Sequence, residues 1–314
     1  MDTDAGGFVI SRPKPIIVNN GYTQGLTLMS DLHIGAPQVD YKLIDKELKL
    51  AKENGDRILI NGDIWDLILP KDHKRFTPSV LHPRLHGRTD VVNAAIDWAV
   101  EILSPYAHLI DMIGLGNHET SIEKFHSLDP LSILIHKLQE QLPAKNKDHQ
   151  INYGGYTGFV DYRFRWNEGG KVEDDNRGGG RNRVVVYYHH GSGADAPVTK
   201  GTIDMARKGW VRADLVWMGH KHVRLSSHIL QMSCPEVGVQ PVFHDVRQVI
   251  SGAYFDTYVG QAQDTIRKHG RRTNYAADAG FAPQGKGGAR LLLTFVRHTA
   301  EGRRIRTFQM QVVQ

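Results

Sequence analysis

Five short polar clusters in the chain carry side chains able to hold a divalent cation. They are Asp31-Leu32-His33, Gly62-Asp63-Ile64-Trp65-Asp66, Gly116-Asn117-His118-Glu119, His189-His190-Gly191 and Gly219-His220-Lys221-His222. Carboxylate, imidazole and amide oxygen suit divalent first-row cations. One Asp-x-His arises often by chance, but five clusters in one chain, each following an apolar run, mark a shared site. A single cation needs three or four protein ligands, and the clusters hold enough for two cations sharing a carboxylate. Paired cations about 3.5–4 Å apart are a recurring arrangement for cleaving phosphate esters. The plain alternative, unrelated turn residues at strand ends, has to account for all five at once.

Each cluster needs an element to place it. Leu26–Ser30, Arg57–Ile60, Leu109–Leu115, Val184–Tyr188 and Leu215–Met218 read as buried strands, and one cluster follows each. Between the first three lie helical patterns. Leu43, Ile44, Leu48 and Ala51 recur at helical spacing, with Gly55 as a stop. Val92, Ala95, Ile96, Ala99 and Leu103 follow a start at Thr89 or Asp90. Asp129-Pro130 starts another helix, with Leu131, Ile135 and Leu138 on one face. This alternation predicts a mostly parallel sheet with covering helices, and ligands bind beyond the carboxyl ends of such strands.

The second half reads differently. Val160, Tyr162, Phe164 and Trp166 alternate with Asp161, Arg163 and Arg165, and a loop containing Gly178 to Gly180 then leads into Val184–Tyr188. That pattern predicts a hairpin, and the chain is β-rich from about residue 224, ending in Arg290–Val296 and Arg304–Val313. With no repeat and no linker, the expectation is one domain over 1–314 built on two sheets, with insertions at 70–88 and 261–288.

Composition narrows the class further. The 314 residues are 40% hydrophobic and 23% charged, which fits a globular chain and excludes a disordered one. Cys234 is the sole cysteine, so an internal disulfide and a thiolate metal site are excluded, while 17 histidines call for explanation. Met1 to Phe8 lacks a basic stretch followed by an apolar one, and no run approaches a membrane span, so a cytoplasmic chain is expected. The net charge is +5, yet from Gln263 to Gln314 ten Lys/Arg face three acids, a local +7. This tail, and the insertion with Lys71, His73, Lys74, Arg75, His82, Arg84, His86 and Arg88, reads as solvated surface or as a phosphate-facing rim.

The blocks D-x-H, G-D-x-x-D, G-N-H-E, H-G and G-H-x-H, spread over roughly Leu26–Val223, resemble those of the calcineurin-like metallophosphoesterase superfamily, in the manner of its compact prokaryotic and phage-borne members. The resemblance implies an α/β fold: a four-layer αββα sandwich of two mixed sheets flanked by helices, with metals at the sheet tips. It implies that Asp31, His33 and His222 hold one cation, that Asp63 bridges, and that Asn117, His190 and His220 complete the second. The following glycine favours His190 over His189. His118 would face the substrate, and Glu119, where many members have Asp, would orient it. Asp66 would bond a ligand histidine or the cluster backbone, or else simply cap a helix start.

The implied cofactors are two divalent cations, Mn first, with Fe, Zn or Ni also suited. The implied activity is hydrolysis of phosphomonoesters or phosphodiesters by a metal-bridging hydroxide, with His118 assisting the leaving group. A nuclease of the same fold, with the basic segments on DNA or RNA, is the alternative. A non-catalytic scaffold is disfavoured because no ligand block is degraded. Lys221 is expected in solvent, and Trp65 and Trp217 in the core. His108, His126, His136, His149, His228, His244, His269 and His298 show no ligand spacing. Neither substrate nor oligomeric state is readable.

Overall fold

The computed structural model describes residues 8–67, 81–172, 182–193, 199, 201–234, 240–255, 284–300 and 303–314. Lys71, His73, Lys74 and Arg75 of the first insertion, and 256–283 around and within the second, lie outside them. The chain begins with β1 (Val9–Ser11), β2 (Ile16–Val18) and β3 (Thr23–Met29). It continues through α1 (Tyr41–Asn54), β4 (Arg57–Asn61), α2 (Val91–Leu103), β5 (Ile110–Gly114), α3 (Asn117–His126), α4 (Pro130–Glu140) and β6 (Asn152–Tyr153). Then come β7 (Thr157–Glu168), β8 (Lys171–Val172), β9 (Arg183–His189), α5 (Thr202–Ala206) and β10 (Leu215–Met218). The last strands are β11 (Leu225–Ser233), β12 (Val242–Ile250), β13 (Ala289–Ala300) and β14 (Arg303–Val313).

Two mixed sheets result. One runs β14-β13-β3-β4-β5-β6, in which β3 to β6 are parallel and β13 closes antiparallel on β3. The other runs β1-β7-β9-β10-β12-β11, with β2 and β8 also on β7. In it β9, β10 and β12 are parallel, and β7 forms the expected antiparallel pair with β9, setting Thr157 opposite His189.

Burial explains the layering. Helix α1 turns Ile44, Leu48 and Ala51 inward, starts where the Asp40 carboxylate accepts the Leu43 N–H at 3.1 Å, and stops at left-handed Gly55. It packs with α2 and α4 on the outer face of the first sheet, burying Ile58, Ile60, Ile113, Ala95 and Leu134. The inner faces of the two sheets meet through Leu26, Leu28, Leu59 and Met112 on one side and Tyr162, Phe164, Val186, Trp217 and Val249 on the other. The fourth layer is thin: α5 lays Met205 against Met218, Val223 and Ile250. The order is helices, sheet, sheet, helix, an αββα sandwich. No helix among the described residues is long and apolar enough to cross a membrane.

Two local readings need correction. Leu109 ends a short 3₁₀ segment, Ser104–Leu109, so the strand after it starts one residue later and stops at Gly114. The third cluster is also no mere turn: Asn117 to Glu119 form the first turn of α3, whose Asn-His-Glu-Thr-Ser start carries little helix propensity.

Candidate metal centre

All five clusters meet where the tips of β3, β4 and β5 face those of β9 and β10. Backbone bonds knit the first two together: Asp31 N–H donates to Gly62 O at 3.0 Å, and His33 N–H to Asp63 O at 3.0 Å. Across the sandwich, His220 N–H donates to the Asp31 carboxylate at 2.9 Å. Gly219 permits this approach, because a Cβ there would sit 2.0 Å from Ser30 Oγ and 2.7 Å from Asp31 Oδ2. Gly116 does the same for the second cluster, where a Cβ would lie 2.1 Å from Asp63 Oδ1. Asp63 Oδ1 accepts the His118 N–H at 3.0 Å, capping α3 with a negative charge at its positive end.

The donor atoms of the ligands the resemblance implies converge in two groups, and His33, Asp66 and His118 come together as a third. His33 Nε2 and His222 Nε2 are 3.1 Å apart, and Asp31 Oδ1 lies 3.4 Å from the second and 3.9 Å from the first. Asp63, His190 and His220 form the other group, with Asp63 Oδ2 3.1 Å from His190 Nε2. Ligands about 2.0–2.1 Å from a cation at tetrahedral or octahedral angles stand roughly 3.0–3.5 Å from one another. The two imidazole nitrogens facing each other at 3.1 Å have the spacing of two ligands on one cation. Asn117 Oδ1 is buried with no hydrogen-bond partner among the described residues. Leaving such an oxygen unpaired costs about 1–3 kcal/mol, and a cation would satisfy it. The donor set therefore fits divalent cations.

His190, not His189, points inward. It is fully buried and donates Nδ1–H to Asn61 O at 2.7 Å, leaving Nε2 for the site. His189 is occupied elsewhere, its Nδ1 accepting the Gly191 N–H at 2.9 Å.

The electrostatics follow from this crowding. Burial works against ionised carboxylates, but His222 and His190 hold Asp31 below its ordinary range, and His190 and His118 hold Asp63 well below. Burial and the neighbouring His222 and His118 push His33 down to about 4. Burial works against a charge on His118 and His190 too, yet Asp63 outweighs it. With the help of Asp66, His118 rises to about 9, and His190 rises to about 10.

Glu119 has partners beyond the one the resemblance implies. Its carboxylate is fully buried and accepts backbone N–H groups. Oε2 takes those of Asp63 at 2.9 Å and Gly116 at 2.8 Å, and Oε1 takes those of Ile64 at 2.8 Å and Trp65 at 3.3 Å. These bonds tie the loop after β4 to the start of α3. Asp66 stands at the ring, its Oδ1 3.2 Å from His118 Nδ1. Lys221 is corrected: it is 6% exposed, not solvated, with Nζ 3.2 Å from Asp204. Trp65 and Trp217 are core residues, as expected.

Other contributors went unread in the sequence. Asn61 links the sheets, its Nδ2 donating to His189 O at 3.2 Å. Ser30 Oγ donates to Asp31 Oδ2 at 2.5 Å. Tyr156 braces the fourth cluster, its hydroxyl donating to Gly191 O at 2.7 Å and its ring edge-on to His189 and His190. A polar residue closing an apolar strand, as Ser30 and Asn61 do, was the available signal. The backbone is unusual too. Six non-glycine residues among those described have positive φ, and five of them are Asp31 (57°), His33 (50°), Asp63 (49°), His220 (67°) and His222 (52°). Each costs about 1–2 kcal/mol in that conformation.

No family model matches the chain, and no curated protein matches it. Among solved structures, a conserved uncharacterized protein from Streptococcus pneumoniae, described as a predicted phosphoesterase, aligns over 92% of this chain and 99% of its own. The TM-score is 0.28 and the identity 11%. A likeness at that level carries no argument, and the functional reading rests on the side chains themselves.

Proposed function

We propose that the chain is a metal-dependent phosphoesterase that cleaves phosphomonoesters or phosphodiesters with two divalent cations. The observation that carries this is the convergence of Asp31, His33 and His222, and of Asp63, His190 and His220, at the spacing of ligands on a common cation. In this reading the first three hold one cation, Asn117, His190 and His220 hold the other, and Asp63 is shared. When bound, divalent cations neutralise charge on phosphoryl oxygens and acidify water enough to make it a nucleophile at neutral pH.

The chain's own residues supply the rest. Asp63 and Asp66 favour the protonated form of His118, which equips it to donate a proton to a leaving oxygen. Asp66, on Nδ1, leaves Nε2 as the donating end. Glu119 holds the loops that carry Asp63 and Asn117 in register.

A panel of aryl monoester, aryl diester, cyclic nucleotides and single- and double-stranded DNA and RNA, assayed with Mn²⁺, tests the reading and ranks the substrates, nuclease activity included. Turnover abolished by Asp63→Asn is expected. Turnover that survives Asp63→Asn, or that is indifferent to chelators, overturns the proposal.

A further inference from the structure

His190 and His220 belong to one ligand group but are held by opposite ring nitrogens. His190 gives Nδ1–H to Asn61 O at 2.7 Å, keeping Nε2 for the site. His220 gives Nε2–H to Gly193 O at 3.0 Å, keeping Nδ1. A carbonyl only accepts, so each contact decides which nitrogen carries the proton. For His220 the deciding group is the carbonyl of Gly193.

That carbonyl has a second donor. Lys221 Nζ reaches it at 3.1 Å and lies 3.2 Å from the Asp204 carboxylate on α5. Lys221 is buried, and α5 is anchored beneath it through Met205. A buried ammonium between two histidines that face cations repels those cations unless an acid balances it, and Asp204 is that acid. Strand alternation would turn Lys221 outward. The left-handed backbone at His220 and His222 removes that alternation and lets the lysine fold back on the Gly193 turn.

Building on the metal-dependent reading, we infer that Lys221 is a positioning residue. Braced by Asp204, it fixes the Gly193 carbonyl so that His220 keeps its proton on Nε2 and offers Nδ1 to a cation. The role is one of positioning, because Lys221 acts on His220 through the Gly193 carbonyl. Partners that orient metal-binding histidines in this way are typically worth about 10–100-fold in metal affinity.

The test pairs Lys221→Met with Asp204→Asn, which leaves the lysine in place but removes its brace. In metal-free, ¹⁵N-histidine-labelled protein, ring nitrogen shifts report the His220 tautomer. Wild type is expected to show Nε2–H alone, and both variants a mixture. Calorimetric titration with Mn²⁺ alone reads the cations. The binding class that His190→Ala removes should weaken about 10–100-fold in Lys221→Met and less in Asp204→Asn, with the other class within about threefold. A single Nε2–H tautomer in both variants overturns the inference. So does equal weakening of both Mn²⁺ classes, which is the mark of general loosening. If wild type takes up no Mn²⁺, the metal reading falls, and the tautomer measurement still decides what Lys221 does. Should Lys221→Met fail to fold, Asp204→Asn carries both readouts.

Discussion

Replacing Glu119 with Gln separates two roles for that residue. In the wild type four buried N–H groups share its two carboxylate oxygens. An amide offers one oxygen and one NH₂, so two of the four donors lose their acceptor and face another donor. Each orphaned buried N–H costs about 1–3 kcal/mol, or about 2–6 kcal/mol for the pair. Part of this is offset, because burial and the charge of Asp63 already push the Glu119 carboxyl above its ordinary range, and a neutral amide escapes both. A net loss of about 2–4 kcal/mol is a large fraction of a domain's 5–15 kcal/mol. At roughly 2 °C per kcal/mol for a chain of this size, the metal-free variant melts about 4–8 °C below wild type. The assay is calorimetric melting in chelator at pH 7, with amide hydrogen exchange at Asp63, Ile64, Trp65 and Gly116 as the local readout. If Glu119 served only to orient His118, the melt would be unchanged and kcat alone would fall. A shift below about 1 °C, with exchange at those four amides unaltered, refutes the loop-holding role.

Other outcomes follow from the same geometry. Asp66 helps hold the proton on His118, so Asp66→Asn should move the alkaline fall of activity to lower pH, which a kcat/KM profile checks. In metal-free protein, His118 and His190 are raised above their unfolded value of about 6.5. Their contribution to stability is therefore complete below pH 6.5 and lost as pH climbs through about 9 and then 10, which denaturant titration across pH measures. Loading Mn²⁺ at neutral pH should release protons, chiefly from His190, seen as buffer-dependent heats in calorimetry. Gly219→Ala places a methyl against Ser30 Oγ and Asp31 Oδ2, so it should cost about 1–3 kcal/mol in melting experiments and weaken Mn²⁺ binding at the group containing Asp31.

Much of the architecture could be read because it is written in local signals. Buried strands are short apolar runs, and Gly55 ends α1 as Asp129 starts α4. The five clusters were visible because the chemistry lies in compact motifs directly after those runs. What stayed hidden depends on partners distant in sequence. Glu119 could not be assigned from its neighbours, since three of its four donors lie more than 50 residues away in the loop after β4. Lys221 escapes the period-two pattern of a strand because the backbone on either side of it is left-handed, not extended. The edge strands β1, β2 and β6 are two or three residues long, too short to show a period.

The left-handed ligands have a consequence for how this protein would respond to selection. Glycine adopts their backbone without strain, so replacing His33, His220 or His222 with Gly relieves roughly 1–2 kcal/mol of backbone strain at each position, whereas at Asp31 and Asp63 it also orphans the His220 and His118 N–H groups. A library sorted for thermal survival without metal should tolerate glycine better at the three histidines than at the two aspartates, while one sorted for metal uptake should purge it at all five. Opposed signs at the three histidines, in two screens of one library, would mark those residues as retained at the expense of the fold.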